Sequence, residues 1–387
     1  MPFLGGFAPK PVTQAVQSKI KICILAPSLE WLGGQSRQAS RLIAGLRTEA
    51  SLSVDFIPHD PRLPKFLAGL QQIKYVKTAV TWLMYCLILF VRLPKYDVLH
   101  VFCASYYAYA LSAVPAILLG KVYGKKVIVN YRSGEAEDHL QNWRWTALPT
   151  IRLADAVVVP SGYLVDVFRR FGIRARPIHN IVELDRFQYR ERNPPRSVFL
   201  TTRLLEPLYN VGCVLRAFAI IQRRVPEASL TVGGDGWQRP ELEDLAAELG
   251  LRNTTFIGRV SWEKMPELYD SADVYLTATN LDNMPSSVIE CYASGLPVVT
   301  TDAGGLPYIV KNEETGIMVR CGDHEALAVG ALRLLEEQGL AGRLAYRARQ
   351  ECRKYSWETV RTEWLQLYRE LGSDAKSPEE RFAPSNG

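Results

Sequence analysis

Short runs of apolar and β-branched residues alternate along this chain with longer stretches in which apolar residues recur at helical spacing. The short runs predict buried strands and the longer stretches predict helices, so their alternation predicts βαβ units and a parallel sheet covered on both faces. In the first half, strands are predicted at residues 21–27, 54–58, 97–102, 126–131 and 155–160, with helices at 36–50 and 106–123.

The alternation pauses at residues 190–196, RERNPPR, where a double proline and several arginines predict a linker. It then resumes, with strands predicted at 197–202, 229–233, 255–258, 273–278, 297–301 and 316–320, and helices at 211–225, 241–249, 324–337, 340–355 and 357–371. Two successive sets of βαβ units predict an α/β protein of two Rossmann-like domains that face each other across a cleft. Ligands are expected outside the carboxyl ends of the strands.

The predicted domain boundary follows from the linker. We assign residues 1–193 to the first domain and residues 194–372 to the second, with the last helix, 357–371, able to pack back on the first domain. Residues 373–387 are polar and offer little to bury, so we expect a disordered tail.

Composition adds a charge asymmetry to this picture. Of the 387 residues 48% are hydrophobic and 22% charged, which is ordinary for a globular protein, and the formal charge is +6. Residues 1–190, however, hold 24 Lys and Arg against 12 Asp and Glu, whereas the remainder holds 22 against 28. A basic half suits nucleic acid, an anionic membrane surface or an acidic substrate. Without a zinc-finger, helix-turn-helix or aromatic RNA-binding signature, nucleic acid is excluded as the expected partner.

The first residues show no export signal, and the seven cysteines form no C-x-x-C, so we expect a cytoplasmic protein with reduced thiols. The most hydrophobic stretch is residues 79–91, AVTWLMYCLILFV, which lie between basic flanks. A membrane-spanning helix needs about 20 apolar residues, so this stretch is too short by that measure. Two interpretations stay open: a buried core helix, which is favoured, and an apolar segment that dips into one leaflet at the inner face of the membrane.

Three motifs lie at or just after the ends of predicted strands. Gly33 and Gly34 precede a helix, where an anion could approach the backbone, although they form neither a G-x-G-x-x-G nor a phosphate-loop motif. Arg203 follows a strand of the second half, where a guanidinium could clamp a diphosphate. Asp282 and Glu290 flank a predicted helix start, so carboxylates for hydroxyl groups and amides for phosphate come together there.

Three further residues have two interpretations each. His100 lies inside a buried-looking strand, where a core histidine is favoured over a catalytic one. His179 is better placed for the cleft. Glu135 is part of an acidic cluster that is either a solvated helix start or a carboxylate of an acceptor site.

Several motifs together identify a family resemblance. Asp282-x7-Glu290 is followed by ASGLPVV at 293–299, and HNIVELDRF, RLLEP, VGGDGWQRPELEDLA, FIGRVSWEKMPELYDSADVYL and DAGGLPYIV keep the same order. In this the chain resembles retaining nucleotide-sugar glycosyltransferases of the two-Rossmann GT-B type, specifically glycosyltransferase family 4, also called glycosyl transferases group 1. The resemblance spans roughly residues 20–370 and is strongest in the second half.

The resemblance implies a role for each motif. Glu290 would hold the ribose of the donor nucleotide, Arg203 the diphosphate and Asp282 the transferred sugar, and these three would form the catalytic centre. The remaining donor-binding positions implied are Gly33, Gly34, Gly258, Arg259, Val260, Asn283, Met284, Pro285, Ser286 and Ser287. The family needs no metal or other cofactor, and the sequence has no D-x-D that would suggest a metal.

Two departures from the family pattern stand out. The first carboxylate is usually glutamate but is Asp282 here, and no lysine follows five residues after Arg203, where the chain has Leu208. A second cation stabilises the leaving diphosphate, so we hypothesise that Arg37 or Arg132 replaces it.

The sequence thus predicts a retaining, metal-independent hexosyltransferase (EC 2.4). It would move a sugar from a nucleotide diphosphate to a glycan or lipid-linked acceptor in polysaccharide or glycoconjugate biosynthesis, in peripheral contact with an anionic membrane. The alternative is a catalytically weak nucleotide-sugar-binding or scaffold subunit that has lost the lysine.

Overall fold

The computed structural model describes residues 19–30, 33–62 and 74–374. Most of the predicted disordered tail therefore lies outside the described residues. Its first two positions, 373 and 374, are helical, so the tail was predicted to begin too early.

The first domain is built on a parallel sheet that has six strands in the described residues, in the order β2-β1-β3-β4-β5-β6. Its strands are β1 Ile20–Ala26, β2 Leu52–Pro58, β3 Val98–Cys103, β4 Lys126–Tyr131, β5 Ala156–Val159 and β6 Arg176–Pro177. Its helices are α1 Gly34–Arg47, α2 Lys74–Arg92, α3 Tyr106–Val122, α4 Ala136–Asn142, α5 Arg144–Arg152 and α6 Gly162–Arg170.

The second domain repeats the plan with the order β12-β11-β10-β7-β8-β9, also parallel throughout. Its strands are β7 Val198–Thr202, β8 Ser229–Gly233, β9 Thr254–Gly258, β10 Val274–Thr277, β11 Val298–Thr301 and β12 Ile317–Val319. The helices are α7 Val211–Arg224, α8 Arg239–Glu248, α9 Met265–Ser271, α10 Ser286–Ser294, α11 His324–Glu336, α12 Leu340–Glu351 and α13 Trp357–Asp374. The prediction of an α/β fold with two Rossmann-like domains is confirmed.

Alternate residues of the central strands pack against opposite helical layers, as the two-residue period of a strand requires. Ile22 and Ile24 of β1 belong to one apolar cluster, whereas Cys23 and Leu25 belong to the cluster on the other face. All seven cysteines are free thiols. Burial raises the pKa of the Cys23 thiol to about 12, so it packs as a small apolar group.

The last helix, α13, packs on the first domain although it follows the second in sequence. Trp364 and Tyr368 join the cluster of Ile22 and Ile24. The Tyr368 hydroxyl lies 2.7 Å from Nδ1 of His100, whose Nε2 lies 2.9 Å from the Asn130 side chain. Burial lowers the pKa of His100 to about 3, so it is a neutral, hydrogen-bonded core residue.

The interdomain segment 190–196, predicted as a linker from its composition, is held to the second domain although four of its seven residues are exposed. Arg190 and Arg196 both form ion pairs with Asp273, and Arg192 is 2% exposed. The Arg192 guanidinium donates to the carbonyl oxygens of Tyr269, Ala272 and Ser294. Buried charges are tolerated when they are paired and hydrogen-bonded, and this network fixes the segment to the second domain.

The favoured interpretation of residues 79–91 as a buried core helix is wrong. Tyr85 and Leu89 of α2 are buried in the first-domain core, but Leu83 and Leu87 are 65% and 61% exposed. The helix is also longer than the apolar run, because Val76–Lys95 is long and apolar enough to cross a membrane by length and composition. In the structure it lies on the domain surface beside α3, so it presents an apolar face outward.

Candidate active site

The carboxyl ends of the two sheets face a cleft that contains a cavity of about 700 Å³ and an adjoining one of about 240 Å³. Arg37, Arg203, Ser286 and Glu290 line both cavities. The structure also brings to the larger cavity the predicted residues Gly33, Gly34, Arg132, Asp282, Asn283, Met284 and Pro285, and to the smaller one Arg259, Val260 and Ser287.

Among the predicted catalytic and donor-binding residues, Gly258 lines neither cavity. Its carbonyl oxygen accepts a hydrogen bond from the Gly234 amide at 2.8 Å, and Gly234 lines the smaller cavity. Gly258 has a positive φ of 69°, so it shapes the turn after β9 rather than the cavity wall.

The loop before α10 is folded by close backbone contacts. The Gly305 amide donates to the Asp282 carbonyl at 2.7 Å, and a Cβ at Gly305 would lie only 1.8 Å from the Asn283 carbonyl oxygen. This close approach explains why the second glycine of DAGGLP, Gly305, cannot carry a side chain. With the loop held, α10 begins at Ser286 and has no acidic residue in its first turn, so its positive end is directed at the cleft without an internal counter-charge.

Arg203 extends from the end of β7 and is already paired. Its guanidinium forms an ion pair with Asp282, donates to Ser287 Oγ at 3.1 Å and lies 4.4 Å from the centre of the Tyr209 ring. Burial acts to lower the pKa of Arg203, but the Asp282 carboxylate raises it above its ordinary value. Arg203 therefore stays charged, while Asp282 neutralises part of the charge that a diphosphate would use. Leu208, at the position of the expected lysine, also lines the cavity.

Glu290 is 3% exposed and accepts a hydrogen bond from the Tyr269 hydroxyl at 2.9 Å. Burial raises the pKa of its carboxyl group, and this is opposed by the charges of Arg41 and Arg37 and by the Tyr269 hydrogen bond. On balance the pKa of Glu290 is raised, while the two arginines and the Tyr269 hydroxyl favour the charged form, which accepts hydrogen bonds from hydroxyls.

A tryptophan of the second domain is surrounded by arginines. The guanidinium groups of Arg37 and Arg41, both on α1, lie 5.4 and 4.4 Å from the centre of the Trp262 ring, and that of Arg186 lies 4.5 Å from it. Arg41 also donates to the Ile181 carbonyl at 2.8 Å and pairs with Glu183. The contacts of Arg37 and Arg41 with Trp262 join the first-domain helix to the second domain beside Glu290.

Arg41, Trp262 and Tyr269 were missed in the sequence. Arg41 had one available signal, since it follows Arg37 by one helical turn and so lies on the same face of α1. The partnership of Trp262 and Tyr269 with distant residues depends on tertiary packing and leaves no local pattern.

The two candidate replacement cations differ in their surroundings. Arg132 donates to Asn130 Oδ1 at 3.2 Å and to the side-chain oxygen of Asn180, and burial lowers its pKa to about 10. Asn180 in turn donates to the Met284 carbonyl at 3.1 Å. Arg132 is thus part of a bridge between the domains.

Arg37 is exposed, lines both cavities and has no ion pair among the described residues. An exposed guanidinium without an ion pair can turn toward a phosphate at little cost, whereas Arg132 would have to give up buried hydrogen bonds. The surroundings therefore favour Arg37 as the available cation.

The structure also separates the remaining candidates. Glu135 lines the larger cavity, whereas Glu137 pairs with Arg170 away from it. His179 lines neither cavity, and its Nδ1 lies 3.0 Å from the Pro160 carbonyl oxygen. Across the described ranges, no group of three His, Cys, Asp or Glu side chains is arranged to hold a metal ion.

Comparison with known proteins agrees with this architecture. The family model described as "Glycosyl transferases group 1" matches residues 183–351, and the model "Glycosyltransferase Family 4" matches residues 32–186. Together the two models account for most of the chain. The chain belongs to glycosyltransferase family 4.

Three curated relatives are similar to this family 4 member. An uncharacterized glycosyltransferase of Methanocaldococcus jannaschii is 33% identical over 40% of each chain. A Mycobacterium tuberculosis glycogen synthase is 27% identical over 70% of each. A Campylobacter jejuni N-acetylgalactosaminyltransferase, whose name specifies an undecaprenol-linked acceptor, is 25% identical over 63% of this chain and 68% of its own. The first alignment thus spans well under half of the archaeal relative's length.

A solved structure, Anabaena HepE in complex with UDP, superposes with a TM-score of 0.73 at 16% identity and covers 91% of this chain and 100% of that one. At this identity the likeness establishes the fold. It confirms the GT-B architecture that the resemblance implied for this family 4 chain.

The ion pair between Arg203 and Asp282 generates a prediction for this family 4 member. In the Asp282→Asn variant, Arg203 no longer has a competing carboxylate, and a charge-assisted hydrogen bond contributes about 1.5–3 kcal/mol. We expect UDP to bind roughly tenfold more tightly, because part of that contribution becomes available to the diphosphate. Calorimetric titration with UDP measures the change.

The matched control is Asp244→Asn, which removes the same charge from the exposed face of α8 and should leave UDP affinity unchanged. Equal UDP affinity in wild type and Asp282→Asn would show that the pair does not restrain Arg203.

Proposed function

We propose that this protein is a retaining, metal-independent hexosyltransferase that moves a sugar from a nucleotide diphosphate sugar to a glycan or lipid-linked acceptor. The observation that carries the proposal is the convergence of Arg203, Asp282 and Glu290 from the second domain with Gly33, Gly34 and Arg37 from the first around one cleft. Glycosyltransferase relatives and the HepE complex with UDP support the class of reaction and of donor.

In this proposal each part of the cleft binds one part of the donor. The nucleoside would lie in the smaller cavity, with its ribose at Glu290 and its base near Arg259 and Val260. The diphosphate would lie between Arg203, the first turn of α10 and the backbone of Gly33 and Gly34. The sugar would then extend into the larger cavity toward Asp282.

The chemical step needs little from protein bases. Positive charge beside the leaving phosphate lowers the barrier as the bond between the anomeric carbon and the phosphate oxygen breaks. The leaving phosphate would take the proton of the acceptor hydroxyl on the same face of the sugar, so the new bond keeps the original configuration. Guanidinium groups and the helix dipole would supply the charge that a metal supplies elsewhere, and no further cofactor is proposed.

We assign the role of the missing lysine to Arg37, which is exposed, unpaired among the described residues and shared by both cavities. Arg132 would act from the first-domain wall, where its bonds to Asn130 and Asn180 position it. Because both arginines belong to the first domain, the diphosphate would be fully neutralised only with the domains together.

The class of acceptor rests on the first domain. Its formal charge excess and the apolar outer face of α2 suit a lipid-linked acceptor at an anionic membrane. We therefore place the protein in the cytoplasm at the inner membrane face, in polysaccharide or glycoconjugate biosynthesis. The name of the Campylobacter jejuni relative provides one precedent for an undecaprenol-linked acceptor.

The proposed function is tested by donor selection followed by transfer. We expect one of the UDP-, GDP- or ADP-sugars to raise the unfolding temperature, since a ligand at 100 times its dissociation constant adds about 2.7 kcal/mol. The radiolabelled form of that donor should then give a glycosylated product in the presence of EDTA. Glu290→Gln should abolish both effects, whereas Glu248→Gln, on the exposed end of α8, should preserve them.

Stabilisation by a donor without any transfer would instead identify a nucleotide-sugar-binding subunit. Loss of activity with EDTA that Mg²⁺ restores would contradict metal independence.

Membrane association generates a separate prediction. Leu83, Leu87 and Phe90 of α2 are all more than half exposed, and Lys95 lies at the end of the same segment. We expect the protein to sediment with phosphatidylglycerol-containing vesicles at low salt and to be released by high salt, because charge attraction to the surface is screened. Replacing Leu83 and Leu87 by Ser should weaken binding at least tenfold, since one fully buried apolar side chain contributes about 1.5–3 kcal/mol and a tenfold change needs about 1.4 kcal/mol.

Val329→Ser, which removes an apolar residue that is 56% exposed on the second domain, is the control and should bind vesicles as the wild type does. A protein that ignores anionic vesicles at low salt would contradict the membrane proposal.

A further inference from the structure

A separate cavity of about 580 Å³ lies in the first domain, where α2 and α3 meet the carboxyl ends of the central strands. Its wall is mainly apolar and includes Pro27, Trp82, Phe102, Ala104, Ala108 and Leu111. The volume is in the range of about 300–1,000 Å³ that ligand pockets occupy. We call it the α2–α3 pocket.

The α2–α3 pocket adjoins the catalytic cleft. Gln35 and Ala104 line both this pocket and the larger cleft cavity, so the two adjoin at these residues. Gln35 lies at the start of α1, two residues before Arg37. A ligand in the pocket would therefore have one end beside the proposed diphosphate site.

The opposite end of the α2–α3 pocket reaches the apolar surface. Trp82 and Leu111 belong to the pocket wall and are also 40% and 39% exposed. Beyond them, Leu83 and Leu87 on α2 and Leu118 on α3 continue the exposed apolar side chains along the two neighbouring helices. An exposed apolar surface of this kind is a feature of binding sites and membrane contacts.

One polar group within the α2–α3 pocket has no partner. Nε2 of His59 is buried and makes no hydrogen bond in the described part of the chain. Burial lowers the pKa of His59 to about 3, so the ring is neutral. An unsatisfied nitrogen on an apolar wall offers a single hydrogen bond to a ligand, and it carries no charge that would repel a hydrocarbon chain from the site.

We propose that the α2–α3 pocket binds the first part of the hydrocarbon chain of a lipid-linked acceptor. The chain would enter from the apolar surface between α2 and α3, and the polar end of the acceptor would pass Gln35 and Ala104 into the cleft. The inference rests on the proposed function, and it specifies that function further: the enzyme selects its acceptor partly by the lipid and not by the sugar alone.

The α2–α3 pocket adjoins the cleft at one end and the apolar surface at the other, and this arrangement favours one kind of ligand over another. A soluble aglycone would need no exposed apolar side chains beyond the pocket, yet such residues extend along both helices from Trp82 and Leu111. A chain anchored in a bilayer would use the pocket and the surface together. The pocket wall also carries two charged side chains, Asp60 and Lys77, of which Lys77 can pair with a phosphate at the head of such a chain.

The experiment uses the full-length protein and farnesyl phosphate below its micelle concentration, followed by titration calorimetry. We expect saturable binding by the wild type. Ala108→Trp would fill the pocket and should weaken farnesyl phosphate binding at least tenfold. Val122→Trp places the same bulky residue at the far end of the same helix, outside the pocket lining, so it should bind like the wild type.

A cooperative thermal unfolding transition, followed by circular dichroism, serves as the folding control and should be present in all three proteins. If Ala108→Trp fails this control, Leu111→Arg is used, because its partly exposed position tolerates a charged residue. Absence of saturable farnesyl phosphate binding, equal binding after the pocket is filled, or preferential binding of 4-nitrophenol would each overturn the proposal.

The two proposals fail in distinguishable ways. Glu290→Gln should lose donor binding while it keeps farnesyl phosphate binding, because Glu290 does not line the α2–α3 pocket. If the wild type transfers sugar but does not bind farnesyl phosphate, only the pocket proposal is wrong. If farnesyl phosphate binds but no nucleotide sugar does, the proposed glycosyltransferase function is wrong.

Discussion

The need to neutralise a diphosphate with few cations is the constraint on which the rest of this cleft depends. At the proposed diphosphate position the second domain offers the guanidinium of Arg203, which the structure pairs with Asp282, whereas Arg259 lies in the smaller cavity at the proposed base position. Leu208 occupies the position where the family usually has lysine, so the second domain alone is short of positive charge. The N-terminal end of α10 supplies part of the remainder, since its first turn contains no acidic residue. The remaining positive charge has to come from the first domain.

Because of this requirement, the contacts between the domains affect donor binding as well as stability. Arg37 and Arg41 bring α1 against Trp262, and Arg132 reaches the loop before α10 through Asn180. The return of α13 to the first domain adds a second connection between the halves. If the diphosphate is held from both sides, donor binding and domain closure are linked, because the ligand binds better to the arrangement that provides more cations. Closure would also exclude the water that could hydrolyse the donor.

The sequence predicted the features that a repeating hydrophobic pattern or a local motif encodes. Strand periodicity located the two sheets, and the family motifs brought Arg203, Asp282 and Glu290 to one cleft. The errors share one physical cause, which is that burial depends on tertiary partners. Arg192 is buried because three carbonyl oxygens surround it, although RERNPPR resembles a solvated linker. The segment 79–91 resembles a core helix, yet only one side of α2 meets the domain. The ion pair of Arg203 and the arginines around Trp262 join residues far apart in sequence, so no spacing could reveal them.

The measurement that tests the central claim most directly is the turnover number of Arg37→Ala, compared with Arg37→Lys and Arg132→Ala, on the donor and acceptor identified by transfer. If the first domain supplies the missing cation through Arg37, Arg37→Ala should lower kcat by roughly 10²–10³, as loss of a transition-state charge contact does, and Arg37→Lys should recover part of the loss. Arg132→Ala should have a smaller effect on kcat and a larger one on KM, since Arg132 positions the first-domain wall of the cleft. Wild-type kcat in both alanine variants would contradict the account.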